Sequence, residues 1–294
     1  MIARRCLDQT DLRGLHPEVK QSGDWARYRA WKKRIGNWGS ETGRIFHLSD
    51  EDYSQMRSVA DEDHWQEFVG RTGGELVAPL ITRQKVQNAD FMFRHDRVVI
   101  ELKVLETEFL NAPSVAKKIE DAFDRNPNGD PNDLTGPLGR ELFNILRAPL
   151  QRIIKKANRQ IRETKQELGL AGWRGIIVMV NDGFRALSPD LVMRLCSDIL
   201  AGESYSSADA FIYQTNHYIE VPESPYALLL WAPLYAENTG QDLVEFVNDL
   251  GRQWRKYAED VDGPFDYNEE QVSMDLSRSA VVAGPTRRWK TEGH

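Results

Sequence analysis

The pattern of apolar and polar residues predicts a β-hairpin over residues 88–105. Two apolar segments, residues 88–93 and Val98–Leu105, flank a polar turn at residues 94–97. The second segment consists mostly of Val, Ile and Leu, a composition typical of a strand that is buried on both faces. Two charged residues nevertheless lie within this apolar segment.

Glu101 and Lys103 lie inside the second strand and share one of its faces, because side chains alternate along a strand. If the turn is symmetric, Phe93 faces Val98 and Asp90 faces Glu101. Turns of two or four residues give this register, whereas a turn of three residues would shift it by one. Burying such charges costs several kcal/mol unless something compensates for them.

A bound cation would compensate for the predicted carboxylate pair. Directly opposed residues of an antiparallel pair have Cβ atoms roughly 4.5–5.5 Å apart, so the carboxylates of Asp90 and Glu101 would repel each other. Oxygen ligands of this kind suit Mg²⁺, which binds at about 2.0–2.1 Å and retains several waters. The alternative is a half-exposed hairpin with a surface ion pair between Glu101 and Lys103.

The rest of the pattern predicts helices that alternate with strands. The predicted helices cover residues 49–69, 114–123 and 149–167, with a separate helix before Pro149 and others that begin at Ser188 and include Leu243–Leu250. The predicted strands cover residues 75–82, 175–180 and 208–214, with an edge hairpin within 218–235. Strand–helix–strand connections imply parallel strands joined by right-handed crossovers. The chain is therefore predicted to be α/β.

Asp90 followed by Glu101-Leu102-Lys103 resembles the motif of the PD-(D/E)xK phosphodiesterase superfamily, the restriction-endonuclease-like nucleases. Ala89 replaces the proline of the family motif, and the resemblance covers roughly residues 60–215. It implies an α/β restriction-endonuclease-like core with a mixed central sheet flanked by helices. We assign this core to residues 49–235, after an aromatic and basic extension (1–48) and before a C-terminal helix and polar tail (236–294).

The resemblance also implies roles for individual residues. Asp90, Glu101 and the backbone carbonyl of Leu102 would hold Mg²⁺, with Mn²⁺ as a substitute, while Lys103 would act on water or phosphate. Glu67, on the helix before the first strand, is the candidate for a further acid, with Glu75 as the second choice. Gln160 lies close to where the superfamily often places a polar residue near its active site.

Composition narrows the class of protein. The chain has 294 residues, 40% of them hydrophobic, and a net charge of −7, so a polyanion would have to meet local basic patches. Its two cysteines, Cys6 and Cys196, exclude a disulfide framework and a four-cysteine iron–sulfur cluster within one chain. The absence of a membrane-spanning apolar segment and of a signal-peptide pattern favours a cytoplasmic protein with no membrane partner.

Two basic segments are candidates for contact with DNA. The predicted helix 149–167 carries six cations against two acids, and phosphate contact is assigned to Arg152, Lys155, Lys156 and Arg159. Residues 25–38 interleave aromatic and basic side chains, which fits either nucleic-acid contact or an amphipathic helix packed on the core.

The predicted function is hydrolysis of DNA phosphodiester bonds by a Mg²⁺-dependent nuclease, in a setting such as phage defence, restriction or DNA repair. The alternative is a catalytically inactive subunit with a nuclease fold that binds nucleic acid or a protein partner. A protein partner would use the N- or C-terminal extension, and the prediction leaves a homodimer open.

Overall fold

The structure is a computed structural model that describes residues 62–84, 86–105, 109–131, 133–182, 184, 186–215, 218–220, 228–262, 276 and 280–281. The predicted extension 1–48, the start of the helix predicted from residue 49 and most of the predicted tail lie outside the described residues.

A six-stranded mixed sheet organises the described part of the chain. The strands are β1 (Glu75–Leu76), β2 (Phe91–Phe93), β3 (Val98–Leu105), β4 (Arg174–Asn181), β5 (Ala210–Thr215), β6 (Ile219–Glu220), β7 (Trp231–Tyr235) and β8 (Ala280–Val281). The sheet has the order β1-β2-β3-β4-β5-β7, in which β3, β4 and β5 are parallel to one another and the other pairings are antiparallel. The predicted α/β class, with a mixed sheet flanked by helices, is confirmed.

Within the described ranges, five α-helices surround this sheet. They are α1 (Glu62–Arg71), α2 (Pro113–Arg125), α3 (Pro137–Glu167), α4 (Pro189–Leu200) and α5 (Gln241–Asp262). The predicted break at Pro149 is wrong, because α3 is one helix of 31 residues that contains Pro149 in its interior. Proline removes one helical hydrogen bond and its ring crowds the preceding turn. Burial of Leu146 and Leu150 on either side of Pro149 offsets that cost.

The hairpin register is confirmed, with Phe93 opposite Val98 and Phe91 opposite Ile100. Strand β2 is nevertheless shorter than predicted and begins at Phe91. The preceding backbone bonds to side chains of α3 instead of extending the ladder: the N–H groups of Gln87 and Ala89 donate to Glu163 and Thr164. This departure from the sheet sets the position of Asp90.

The two faces of the sheet carry separate cores. Helices α2, α3 and α4 pack on the face that includes Val99 and Leu105, whereas α1 and α5 pack on the face that includes Ile100 and Leu102. Helix α5, which lies in the predicted C-terminal region 236–294, packs on the same sheet as α1. Among the described residues, no helix combines the length and the apolar character needed to cross a bilayer.

Two predicted strands differ in detail. The strand predicted over residues 75–82 ends after Leu76, and a 3₁₀ turn (Ala78–Leu80) that contains Pro79 follows, because proline cannot donate to a ladder. The predicted edge hairpin is replaced by two different pairings: β7 pairs with β5, and β6 pairs with β8, apart from one bridge between Ile219 and Leu228.

Candidate functional site

The structure brings Asp90 and Glu101 together beside the start of β2. The backbone N–H of Asp90 donates at 3.1 Å to the carbonyl of Ile100, which is already the partner of Phe91, so the β2–β3 register shifts by one residue at Asp90. The side chain of Asp90 turns toward β3, where Oδ2 accepts the N–H of Leu102 at 2.7 Å. The carboxyl groups of Asp90 and Glu101 lie within hydrogen-bonding reach of each other.

Glu101 is completely buried, so the alternative of an exposed surface ion pair is wrong. Its Oε1 contacts Nζ of Lys103, whose side chain is 19% exposed and so connects the buried carboxyl group to solvent. Its Oε2 is buried and has no hydrogen-bond partner among the described residues. A buried, unpartnered carboxylate oxygen beside a second carboxylate needs either a proton or a cation.

The surroundings raise the pKa of both acids. Burial, followed by the proximity of Asp90, raises the pKa of Glu101 to about 8, although Lys103 opposes this shift. Burial also raises the pKa of Asp90, against the opposing effects of the Leu102 N–H, Lys103 and Lys156. At neutral pH and without a cation, the pair therefore holds a proton.

Helix α3 fixes the backbone from which Asp90 projects. Nε2 of Gln160 donates to the carbonyl of Asn88 at 2.8 Å, and Oγ1 of Thr164 accepts the N–H of Ala89 at 2.7 Å. The predicted site residue Gln160 thus lies beside the pair, and its Oε1 is buried without a hydrogen-bond partner in the described part of the chain. Sequence reasoning missed Thr164, which is fully buried, and the only signal in the sequence was its position within the apolar stripe of the helix.

The oxygen atoms of the site fit a hard divalent cation. Asp90 and Glu101 each supply a carboxylate, and the carbonyl of Leu102 points to the same side of β3 as its N–H, which bonds to Asp90. No group of three or more His, Cys, Asp or Glu residues that could hold a metal occurs within the described ranges. Two carboxylates could hold Mg²⁺, which commonly retains waters and takes only one or two carboxylates from a protein.

The structure does not bring Glu67 to this pair. Helix α1 packs on the other face of the sheet, and the side chain of Glu67 is 51% exposed. It accepts hydrogen bonds from Arg71 at 2.6 Å and from the Tyr257 hydroxyl at 2.9 Å, and the latter bond makes the largest contribution to lowering its pKa. The second choice, Glu75, lies opposite Met92 and contacts Arg94 at the turn of the hairpin.

The cations predicted to contact phosphate are exposed on α3. Arg152, Lys155 and Lys156 are exposed and form no ion pair with any described residue, whereas Arg159 contacts Gln87 and lies 3.8 Å from Glu163. Lys156 is close enough to Asp90 to oppose the rise of its pKa. Lys156 therefore lies near the carboxylates, and contact of the basic face with phosphate stays a prediction.

Comparison with family models, curated proteins and solved structures finds no significant match for this chain.

Proposed function

We propose that the protein hydrolyses DNA phosphodiester bonds with Mg²⁺ bound by Asp90, Glu101 and the Leu102 carbonyl, in a restriction-endonuclease-like core. The observation that carries this proposal is the buried Oε2 of Glu101, which lacks a hydrogen-bond partner among the described residues and lies beside a second carboxylate. Lys103 and the exposed cations of α3 supply the positive charge that a phosphate substrate requires.

Each side chain of the site has a distinct task in this reaction. Hydrolysis forms a bond between phosphorus and a water oxygen and breaks a bond between phosphorus and a sugar oxygen, which leaves with a proton. Bound Mg²⁺ would supply Lewis-acid stabilisation of the negative charge that develops on the phosphate. Asp90 and Glu101 bind the cation, and Nζ of Lys103 donates hydrogen bonds to the phosphate or to the attacking water. Gln160 and Thr164 keep the backbone that carries Asp90 in place.

A nuclease assay on single- and double-stranded DNA, with Mg²⁺, Mn²⁺ or EDTA, tests the proposal. We expect the parent protein to cleave only with a metal, and Glu101→Gln and Asp90→Asn to lower the rate roughly 100-fold or more. Asp96→Asn is the matched control, because Asp96 is exposed on the turn of the same hairpin. Loss of cleavage in the control, or full cleavage by Glu101→Gln, would refute the assigned site.

The scarcity of acids at the site favours one second candidate function. The site has two carboxylates, and the described residues contain no group of three or more His, Cys, Asp or Glu residues that could hold a metal. The fold also suits a catalytically inactive subunit that binds nucleic acid or a protein partner. This candidate predicts that the parent protein binds DNA or a partner and cleaves nothing with either metal. The same assay therefore separates the two functions.

A further inference from the structure

A groove with a volume of about 420 Å³ runs between α2 and α3, which is within the size range of small-ligand pockets. We call it the α2–α3 groove and define it by side chains from both helices: Val115, Lys118, Asn144, Ile145, Pro149 and Arg152. Apart from Arg152, these residues have no part in the site described above.

The α2–α3 groove carries an excess of positive charge. Lys118 and Arg152 are exposed and have no ion-pair partner among the described residues. Glu141 also lines the groove, but Arg125 neutralises it and Asn126 donates to it at 3.2 Å. In a protein with a net charge of −7, this local balance favours an anionic ligand.

The groove also has an apolar wall. Val115, Ile145 and Pro149 are only half-buried, so each leaves apolar surface at the groove. A phosphate ion alone gains nothing from such a wall, whereas a nucleobase has an apolar face that would cover it. Asn144 is exposed beside the wall, and its amide can both donate to and accept from a base edge.

A row of α3 side chains connects the groove to the carboxylate pair. Arg152, Lys156 and Gln160 are spaced by four residues and therefore lie along one face of the helix, over about 12 Å. Gln160 binds the carbonyl of Asn88 next to Asp90, and Lys156 acts electrostatically on Asp90. A nucleic-acid strand that follows this row from the carboxylates therefore reaches the groove.

From these observations we propose that the α2–α3 groove binds one unpaired nucleotide of the substrate strand, a few nucleotides from the bond that is cleaved. Its phosphate lies between Lys118 and Arg152, and its base lies against the apolar wall. The base must be unpaired, because bases in a duplex are stacked on their neighbours. This inference rests on the proposed function and adds that the substrate has a single-stranded segment next to the cut.

The test measures binding of fluorescein-labelled oligothymidylates, from two to ten nucleotides long, by anisotropy in EDTA and low salt. The affinity should rise about tenfold at the length that first reaches the groove, because only then do both a phosphate and a base contact it. Lys118→Gln, and Asn144→Trp, which fills the groove from an exposed position, should each remove most of this step. Lys117→Gln is the matched control, because Lys117 lies on α2 outside the groove and pairs with Asp121 at 3.1 Å.

Each outcome bears on the groove independently of cleavage. The rise in affinity with oligonucleotide length is the step that is tested. If this step survives in both groove variants and their thermal melting is unchanged, the proposal is overturned and the groove is left to another ligand, such as a peptide. An equal step with blunt duplexes overturns the requirement for an unpaired base. A step without cleavage by the parent supports the groove while the proposed nuclease function fails, and cleavage without a step refutes the groove alone.

Discussion

Two clusters of charged side chains lie beside α3, and only one of them is internally balanced. At the amino-terminal edge of β4 and β5, Asp209 accepts the N–H of Gly175 at 2.7 Å and lies 3.7 Å from Lys165 and 3.5 Å from Arg174. At the carboxylate pair, Lys103 lies between Glu101 and solvent. Oε2 of Glu101 is buried and has no hydrogen-bond partner among the described residues.

We propose that the first cluster is structural and that the second is functional. One carboxylate with two cations and a backbone donor is what a fold needs to hold β4, β5 and α3 together. Two carboxylates with one nearby lysine carry excess negative charge, and burial makes that excess costly. A protein retains such an arrangement where a ligand completes it, which is why we place the cation at Asp90 and Glu101 and not at Asp209.

The pH dependence of stability should show the largest difference. The folded-state pKa of Glu101, about 8, lies above its ordinary value of 4.5, so the folded protein holds a proton that the unfolded chain loses. This contribution is complete at low pH and disappears as the pH rises toward 8, at up to about 1.4 kcal/mol per pH unit. Urea unfolding in EDTA from pH 5 to pH 9 should therefore show the parent losing stability relative to Glu101→Gln. A difference that stays constant with pH would contradict the raised pKa.

Matched amide substitutions should affect the two clusters in opposite directions. Asp209→Asn places an amide against Lys165 and Arg174 and should cost about 2–3 kcal/mol, below the cost for a fully buried pair because these side chains are partly exposed. Glu101→Gln supplies the hydrogen that the pair otherwise takes from solvent, so at pH 8 in EDTA it should leave stability unchanged or raise it. Chemical denaturation of both variants measures the contrast. Equal destabilisation would make both clusters structural.

DNA binding should distinguish the exposed cations of α3 from cations elsewhere. Replacing Lys155, Lys156 and Arg159 with Gln should weaken binding about tenfold at moderate salt and reduce the salt slope by up to about 2.7, because each phosphate contact releases a counterion. The control replaces Arg252, Arg255 and Lys256 of α5, which removes the same charge from the other face of the sheet. Equal losses in the two triple variants would indicate nonspecific attraction only.

The local features of the fold could be predicted from the sequence. The bounds of β3 and the register of the hairpin follow from apolar alternation and turn length, which neighbouring residues determine. The continuity of α3 could not be predicted, because burial of Leu146 and Leu150 in the core overrides the local preference of Pro149. A local rule fails where tertiary burial is larger than the preference it encodes.

The same distinction applies to the site. Asp90 and Glu101 were predicted to meet because a short hairpin connects them. The face of the sheet that α1 covers depends on the path of the chain, and that path places Glu67 away from the pair. Thr164 bonds to Ala89 across 75 residues of sequence, and nothing near Thr164 in the sequence indicates that contact.

Isothermal titration of the protein with Mg²⁺ at pH 7, in two buffers of different ionisation enthalpy, tests the central claim most directly. We predict one site per chain, with release of up to one proton, because the cation replaces the proton that Asp90 and Glu101 share. Glu101→Gln should abolish this binding, and the exposed-turn control Asp96→Asn should retain it. Undetectable binding by the parent, or unchanged binding by Glu101→Gln, would contradict a cation site at the carboxylate pair.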